Sequence, residues 1–173
     1  MEEVMEYRKL GKSGIQLSEL SFGSWITFGS ELDVSGVKEC MQYAFDQGIN
    51  FFDNAEVYGN GASEMLMGEV LKSLPREEIV VSTKIFWGGK SPNSIGLSWK
   101  HLIEGTKRSL IRLQLDYIDL LYCHRPDPNT PIEETVRAMN HLIQQGLVFY
   151  WGTSEWSWRP IHLKISGCEA GLL

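Results

Sequence analysis

The chain has few cysteines, no basic excess and no long apolar run, and each shortage excludes a class of protein. Its three cysteines form no CxxC pair, so neither a disulfide scaffold nor a thiolate metal site is indicated. No stretch reaches the ~18 apolar residues that a membrane-spanning helix needs. The net charge of -6 disfavours binding to nucleic acid. Because the first residues are acidic, where a secretory signal would be basic and then apolar, we expect a cytoplasmic protein without membrane insertion.

Short apolar strands alternate with amphipathic helices along the chain. Strands are predicted to begin near residues 20, 50, 79, 117 and 147, which gives a repeat of roughly 30 residues, the size of a βα unit. Thr130 and Glu133 have the spacing of a capping box, which predicts the start of the last helix. This alternation predicts a parallel sheet with helices outside it.

Two architectures fit such a repeat, an open doubly wound sheet and a closed eight-stranded barrel. An open sheet that binds a dinucleotide carries G-x-G-x-x-G after its first strand, whereas this strand ends with the sequence FGSW (residues 22–25). Segments 7–10 and 15–17 flank GKSG (11–14) and predict a β-hairpin, an element that could close the bottom of a barrel. The missing fingerprint counts against a dinucleotide-binding open sheet, and both architectures remain possible at this point.

Titratable side chains follow the predicted strands at equivalent points. Asp53 ends the second strand, Tyr58 lies in the loop after it, Lys84 ends the third strand and His124 follows the fourth. Because the carboxyl ends of parallel strands meet at one rim, we expect these side chains to lie close together. Each alone has an ordinary explanation, such as a turn or a packing contact, but four such types on one rim indicate a reactive site.

This set of side chains suits proton donation to a carbonyl oxygen. An ammonium beside a phenol favours the phenolate, and a carboxylate beside that ammonium keeps it charged and oriented. Tyr58 would then donate a proton as hydride reaches the carbonyl carbon, and a neutral His124 would hydrogen-bond the same oxygen. The four histidines lack metal-ligand spacing, so no metal site is predicted and a metal-dependent hydrolase using Asp53 and His124 is disfavoured.

Several segments of the chain resemble the aldo-keto reductase family, and they occur in the family's order between about residues 7 and 158. The subgroup that includes the potassium-channel β-subunits is the most similar. The segments are FFDNAEVYG (51–59), GASE (61–64) followed by Met67-Gly68, VSTK (81–84), DYIDLLYCH (116–124) and YWGTS (150–154), with WITFG (25–29) and RPDPNTP (125–131) resembling the channel-subunit subgroup.

The resemblance implies a parallel (β/α)8 TIM barrel, NADP(H) as cofactor, and reduction of an aldehyde or ketone to an alcohol. Tyr58 would be the proton donor, with Lys84 and Asp53 tuning it and His124 orienting the substrate. The alternative is a non-catalytic, cofactor-binding regulatory subunit resembling a potassium-channel β-subunit. The implied cofactor contacts are Ser24, Trp25, Asp53, Ser154 and Glu155, and the implied substrate pocket is Trp25, Tyr58 and Trp87.

Two positions depart from the family pattern. Many members have Asn or Arg where this chain has Glu155, so the acidic side chain is expected to weaken or redirect a cofactor contact. Some channel-subunit relatives have Asn where this chain has His124, and the histidine favours a working reductase.

The predicted barrel is incomplete. An eight-stranded barrel needs about 250 residues, whereas about five βα units are predicted, within residues 1–158, and the atypical tail at 159–173 does not continue the pattern. In the family, the loops that hold the cofactor's 2′-phosphate come from later strands. We therefore expect the chain to carry the four reactive residues yet to be a poor enzyme alone, and its open sheet edges predict possible self-association.

Overall fold

The computed structural model of the protein describes residues 5–28 and 32–157. The predicted tail at 159–173 lies outside the described residues. The helices and strands alternate as the sequence predicts. In chain order they are β1 (Tyr7–Lys9), β2 (Gln16–Ser18), β3 (Phe22–Gly23), α1 (Val34–Asp46), β4 (Phe51–Asp53), α2 (Ala62–Leu71), β5 (Val80–Ile85), α3 (Trp99–Leu113), β6 (Ile118–Cys123), α4 (Ile132–Gln144) and β7 (Val148–Thr153).

Strands β3 to β7 form one parallel sheet in which each strand neighbours the next along the chain. Lys84 pairs with Tyr122 across β5 and β6, and Asp53 pairs with Ser82 across β4 and β5. This order, with a helix between successive strands, is that of a truncated (β/α)8 barrel. The predicted fold class is confirmed.

The N-terminal hairpin is also confirmed, and it is attached to the main sheet. Strands β1 and β2 pair antiparallel. The backbone N–H of Ser18 donates to the Asn50 side-chain oxygen at 2.8 Å, and the N–H of Asn50 donates to the Ser18 hydroxyl at 3.1 Å. The Tyr7 hydroxyl donates to the carbonyl of Gly48. These contacts hold the hairpin against the amino end of β4.

The apolar core lies between the sheet and its helices, as two clusters. Since side chains alternate along a strand, β5 sends Val81 and Ile85 into this layer, and β4 sends Phe52. Burying these side chains is the main force that holds the helices on the sheet. Fully buried members of the clusters include Met41, Phe52, Met67, Val81, Leu113, Ile85, Leu102, Leu121, Met139 and Trp151.

The capping box predicted at Thr130 is wrong. Helix α4 begins at Ile132 after Pro131, without a side-chain cap hydrogen bond. The Thr130 hydroxyl instead donates to Asp127 Oδ2 at 2.7 Å. Asp127 also accepts the N–H of Leu97, so this carboxylate organises the loop and uses the hydroxyl that the capping box required.

Within the described part of the chain, no helix combines the length and the apolar composition that crossing a membrane requires.

Gly68 provides a test of the helix packing. A Cβ atom at this position on α2 would lie 2.5 Å from the carbonyl oxygen of Arg112 and 2.7 Å from the carbonyl carbon of Leu113, both backbone atoms of the α3 end. The helices would have to separate, so we expect Gly68→Ala to lower the free energy of unfolding by about 1–3 kcal/mol. Urea denaturation followed by circular dichroism measures this change.

Gly14→Ala is the matched control, because a Cβ at Gly14 meets nothing within 4 Å. It should change the free energy of unfolding by less than about 0.5 kcal/mol. Equal stabilities for the two variants would contradict the close approach of α2 and α3.

Candidate active site

The four predicted reactive residues lie together at the carboxyl end of the sheet. Asp53 is the last residue of β4, Lys84 is near the end of β5, and His124 directly follows β6. Tyr58 begins a short 3-10 turn that leads into α2. The parallel register therefore gathers side chains that are distant in sequence, as the repeat predicts.

An ion pair between Lys84 and Asp53 forms the centre of the site. Lys84 Nζ lies 2.5 Å from Asp53 Oδ2 and also donates to the carbonyl of Asn54 at 2.8 Å. Asp53 Oδ1 accepts the Ser82 hydroxyl at 2.5 Å. The side chains of Lys84 and Asp53 are 12% and 27% exposed. Both charges are thus largely removed from water and held by several partners each.

The third hydrogen bond of the ammonium group goes to Tyr58. Lys84 Nζ lies 3.4 Å from Tyr58 Oη and 5.0 Å from the centre of the phenol ring. If the ammonium donates to the phenol oxygen, the phenol hydrogen is free to point elsewhere. The Tyr58 hydroxyl thus lies beside a fixed positive charge.

His124 lies beside the Tyr58 ring and is held neutral. The two rings meet edge to face with centroids 6.0 Å apart. Burial lowers the pKa of His124 from 6.5 to about 4, and the charges of Lys84 and Arg125 add to the effect against the opposing charge of Asp53. A neutral imidazole can donate one hydrogen bond without bringing a further charge into the site.

Two indole rings flank these polar groups. Trp25, 70% exposed, stacks on Tyr58 with ring centroids 6.2 Å apart and planes inclined by 27°. Trp87, which is partly exposed, meets the His124 ring edge to face at 5.1 Å. Of the three predicted pocket residues, Trp25 therefore stacks on Tyr58, and Trp87 contacts the imidazole that Tyr58 meets.

The residues predicted to contact the cofactor lie at the same end of the sheet, but the side chains of Ser24 and Glu155, like that of Asp53, are already engaged. The buried Ser24 hydroxyl donates to the carbonyl of Asp53 at 3.0 Å. Glu155 has a left-handed backbone with φ of 57°, and its carboxylate lies 3.0 Å from the guanidinium of Arg125. The N–H of Ser154 donates to the carbonyl of Cys123, which keeps this segment beside His124.

Several side chains of the site were not assigned a role from the sequence. The place of Ser82 in the site could have been predicted from the sequence, because Ser82 lies two residues before Lys84 and so shares its face of β5. Arg125 donates to the carbonyl of His124 and lies over the Trp87 ring, and no spacing signals such a contact. Among residues 5–28 and 32–157, no three His, Cys, Asp or Glu side chains are grouped to hold a metal ion.

His124 should make stability depend on pH between about 6.5 and 4. Its pKa is lowered to about 4 in the folded protein, so as the pH falls the unfolded chain takes up a proton that the folded chain does not. Stability is therefore lost toward pH 4 and restored above about pH 6.5. Between pH 7 and pH 4.5 the wild type should lose about 2 kcal/mol more free energy of unfolding than His124→Gln.

Urea denaturation at the two pH values measures this difference. A proton NMR titration of the His124 ring should show a midpoint near 4. A midpoint above 6 would mean that the ring is not desolvated as described.

A solved structure has the same fold. The crystal structure of a thermostable aldo-keto reductase in complex with the inhibitor epalrestat matches 97% of this chain and 60% of that chain, with a TM-score of 0.86 and 30% sequence identity. The match shows that the five-stranded sheet corresponds to part of a larger aldo-keto reductase domain.

Sequence relatives agree with the structural match. A probable voltage-gated potassium channel subunit beta from Arabidopsis thaliana is 61% identical over 159 residues, and one from Oryza sativa subsp. japonica is 57% identical over the same length. Each alignment covers 91% of this chain and 48% of the relative, so the chain spans about half the length of these relatives. The model of the aldo/keto reductase family matches residues 19–163. The chain belongs to the aldo/keto reductase family.

Proposed function

We propose that this chain carries the site of an NADP(H)-dependent oxidoreductase that reduces an aldehyde or ketone to an alcohol, with Tyr58 as the proton donor. Family membership supports an oxidoreductase. The observation that carries the proposal is the 3.4 Å contact between Lys84 Nζ and Tyr58 Oη. It joins a largely buried, paired cation to a phenol whose ring meets a neutral imidazole.

Tyr58 delivers the proton to the substrate, and Lys84 stabilises the Tyr58 phenolate that is left. The ammonium group donates to the phenol oxygen, so the phenol hydrogen is directed toward the substrate oxygen. Once the proton has left, the phenolate lies against a positive charge that Asp53 holds in place. The bound cofactor supplies hydride to the carbonyl carbon.

His124 and the two indoles orient the substrate. A neutral His124 donates a hydrogen bond to the carbonyl oxygen and leaves that oxygen basic enough to accept the proton of Tyr58. Its Nδ1 atom is buried without a hydrogen-bond partner in the described part of the chain, which favours placing the ring hydrogen on Nε2. Trp25 and Trp87 offer apolar walls, which suit an aromatic or aliphatic carbonyl compound.

The residues at this rim fit the nicotinamide end of the cofactor. The exposed Trp25 ring beside Tyr58 is a flat apolar surface, and Ser154 and Glu155 offer polar groups just after β7. Ser24 would support this surface from beneath, because it is fully buried, its hydroxyl donates to the carbonyl of Asp53, and its own carbonyl accepts the Ser63 hydroxyl. A contact from Glu155 requires that its ion pair with Arg125 opens or shifts.

We also propose that the protein is cytoplasmic and that it self-associates through the open edges of its sheet. In the described residues, β3 and β7 each pair with one neighbouring strand only. Such edges present N–H and C=O groups to another chain, and Phe149 on β7 is partly exposed.

The second candidate is a cofactor-binding regulatory subunit without turnover. It is favoured by the two plant relatives, which are named as probable voltage-gated potassium channel β-subunits. The geometry around Tyr58 favours catalysis instead, because a regulatory subunit needs no neutral His124 opposite the phenol. NADPH binding without Tyr58-dependent turnover would support the regulatory alternative.

Replacement of the phenol tests the proposed chemistry. The purified chain, at a concentration above that of NADPH, is mixed with NADPH and 4-nitrobenzaldehyde. Oxidation of NADPH is followed at 340 nm. We expect slow oxidation, and Tyr58→Phe should lower its rate by about 10² to 10⁴-fold because the proton donor is lost. NADPH binding, measured by quenching of tryptophan fluorescence, should change little in this variant.

Tyr122→Phe is the matched control, since it removes a phenol that also lies close to Asp53. Its rate should stay within about threefold of wild type, as expected for a group outside the proton path. Equal losses in the two variants, or turnover that does not need Tyr58, would contradict the proposed role.

A further inference from the structure

A buried acid and a buried histidine lie directly beneath the site and have no part in the chemistry described so far. Glu56 is 3% exposed and His101 is not exposed at all. Glu56 Oε1 lies 3.1 Å from His101 Nε2. Glu56 is two residues before Tyr58, whereas His101 belongs to α3, so the pair joins the site to the helix layer.

Glu56 binds the end of β5 on both sides of Ile85. Its backbone N–H donates to the carbonyl of Lys84 at 3.1 Å. Its side-chain Oε1 accepts the N–H of Phe86 at 2.7 Å. Glu56 therefore holds the backbone at the end of the strand that carries Lys84, just before Trp87.

The backbone after Trp87 packs directly on the pair. A Cβ atom at Gly88 would lie 2.5 Å from Glu56 Oε2 and 2.6 Å from His101 Cε1. On the opposite side, a Cβ at Gly105 would lie 3.3 Å from the same carboxylate oxygen. The absence of side chains at both glycines lets the loop and the helix close on the carboxylate.

The pair is costly to bury. Glu56 Oε2 and His101 Nδ1 have no hydrogen-bond partner in the described residues, and buried polar atoms without partners lower stability. A ring hydrogen on Nε2 that is donated to Glu56 leaves no N–H of His101 unpaired. An apolar pair of the same size would avoid this cost but would leave the Phe86 N–H without its acceptor, so the pair matters for how it holds this backbone.

We infer, on the basis of the proposed function, that Glu56 is a positioning residue for substrate binding, held in place by His101. It sets the place of the Phe86–Trp87 backbone, and so the position of the Trp87 ring that flanks His124 at 5.1 Å. Replacing the side chain leaves the backbone hydrogen bond from Glu56 to Lys84 in place. Loss of the carboxylate should therefore disturb the Trp87 wall more than the contact between Lys84 and Tyr58.

Two variants of Glu56 separate positioning from charge. Glu56→Gln keeps an oxygen that can accept the Phe86 N–H, whereas Glu56→Met has a similar length and no such acceptor. The chain is labelled with 5-fluorotryptophan, and its Trp87 resonance is identified by its loss in Trp87→Phe. We expect this ¹⁹F resonance to shift or broaden in Glu56→Met and to stay in place in Glu56→Gln.

The KM and kcat of the Glu56 variants test the positioning role a second time. In the NADPH assay with 4-nitrobenzaldehyde, Glu56→Met should raise KM for the aldehyde about tenfold, the effect of losing roughly one hydrogen bond to a charged group. Its kcat should stay within about threefold of wild type, because Lys84 and Tyr58 keep their contact. Glu56→Gln should restore most of the loss in KM.

Asp119→Leu is the matched control. Asp119 is a buried carboxylate that lies toward the other end of the same strands. It accepts the N–H of Val81 and forms an ion pair with Arg76. The Asp119→Leu substitution should lower the free energy of unfolding without moving the Trp87 resonance. If Asp119→Leu moves that resonance as much as Glu56→Met does, the effect is general destabilisation and the inference is wrong.

The ¹⁹F measurement needs no turnover, so it separates this inference from the proposed function. A Trp87 resonance that does not respond to Glu56→Met overturns the positioning role even if Tyr58-dependent reduction is observed. A resonance that responds supports positioning of the loop even if the chain reduces nothing. Should Glu56→Met fail to fold, Glu56→Asp, whose carboxylate is one methylene too short to reach Phe86, gives the same test.

Discussion

The ion pair between Asp53 and Lys84 is the contact on which the rest of the site depends. It joins the ends of two neighbouring strands at 2.5 Å, and both charges are largely removed from water. Either charge alone would be costly at this depth, so the two strands are held in register at their carboxyl ends. The remaining donors of the ammonium reach Asn54 and Tyr58. The phenol is therefore positioned by the same interaction that aligns the sheet.

The alternation of side chains along β5 lets one strand serve both the core and the site. Val81 and Ile85 enter the apolar layer under the helices, whereas Ser82 and Lys84 point to the opposite face and meet Asp53. A shift of register by one residue would put the ammonium into the apolar layer and an apolar side chain at the rim. The burial that stabilises the fold consequently also fixes the geometry of the charged groups.

The sequence predicts those parts that follow from periodicity and strand order. The strands and the gathering of Asp53, Tyr58, Lys84 and His124 follow from apolar runs and from where those runs end. The hairpin follows from the turn segment at 11–14 and the short segments on either side of it. Contacts that depend on the path of a loop could not be predicted. The carboxylate of Asp127 takes the Thr130 hydroxyl, and neither Glu56 with His101 nor Arg125 with Glu155 has a spacing that signals the contact.

Two tyrosines lie near the central ion pair, and their surroundings differ. Tyr122 pairs with Lys84 across the strands, yet burial and then the negative charge of Asp53 raise the pKa of its phenol. Tyr58 instead has the ammonium of Lys84 as its hydrogen-bond partner. A phenolate at Tyr122 would face a carboxylate in a poorly solvated place, whereas a phenolate at Tyr58 would face a cation. Burial and the charge of Asp53 thus keep Tyr122 protonated, whereas Tyr58 is the phenol that contacts the ammonium of Lys84.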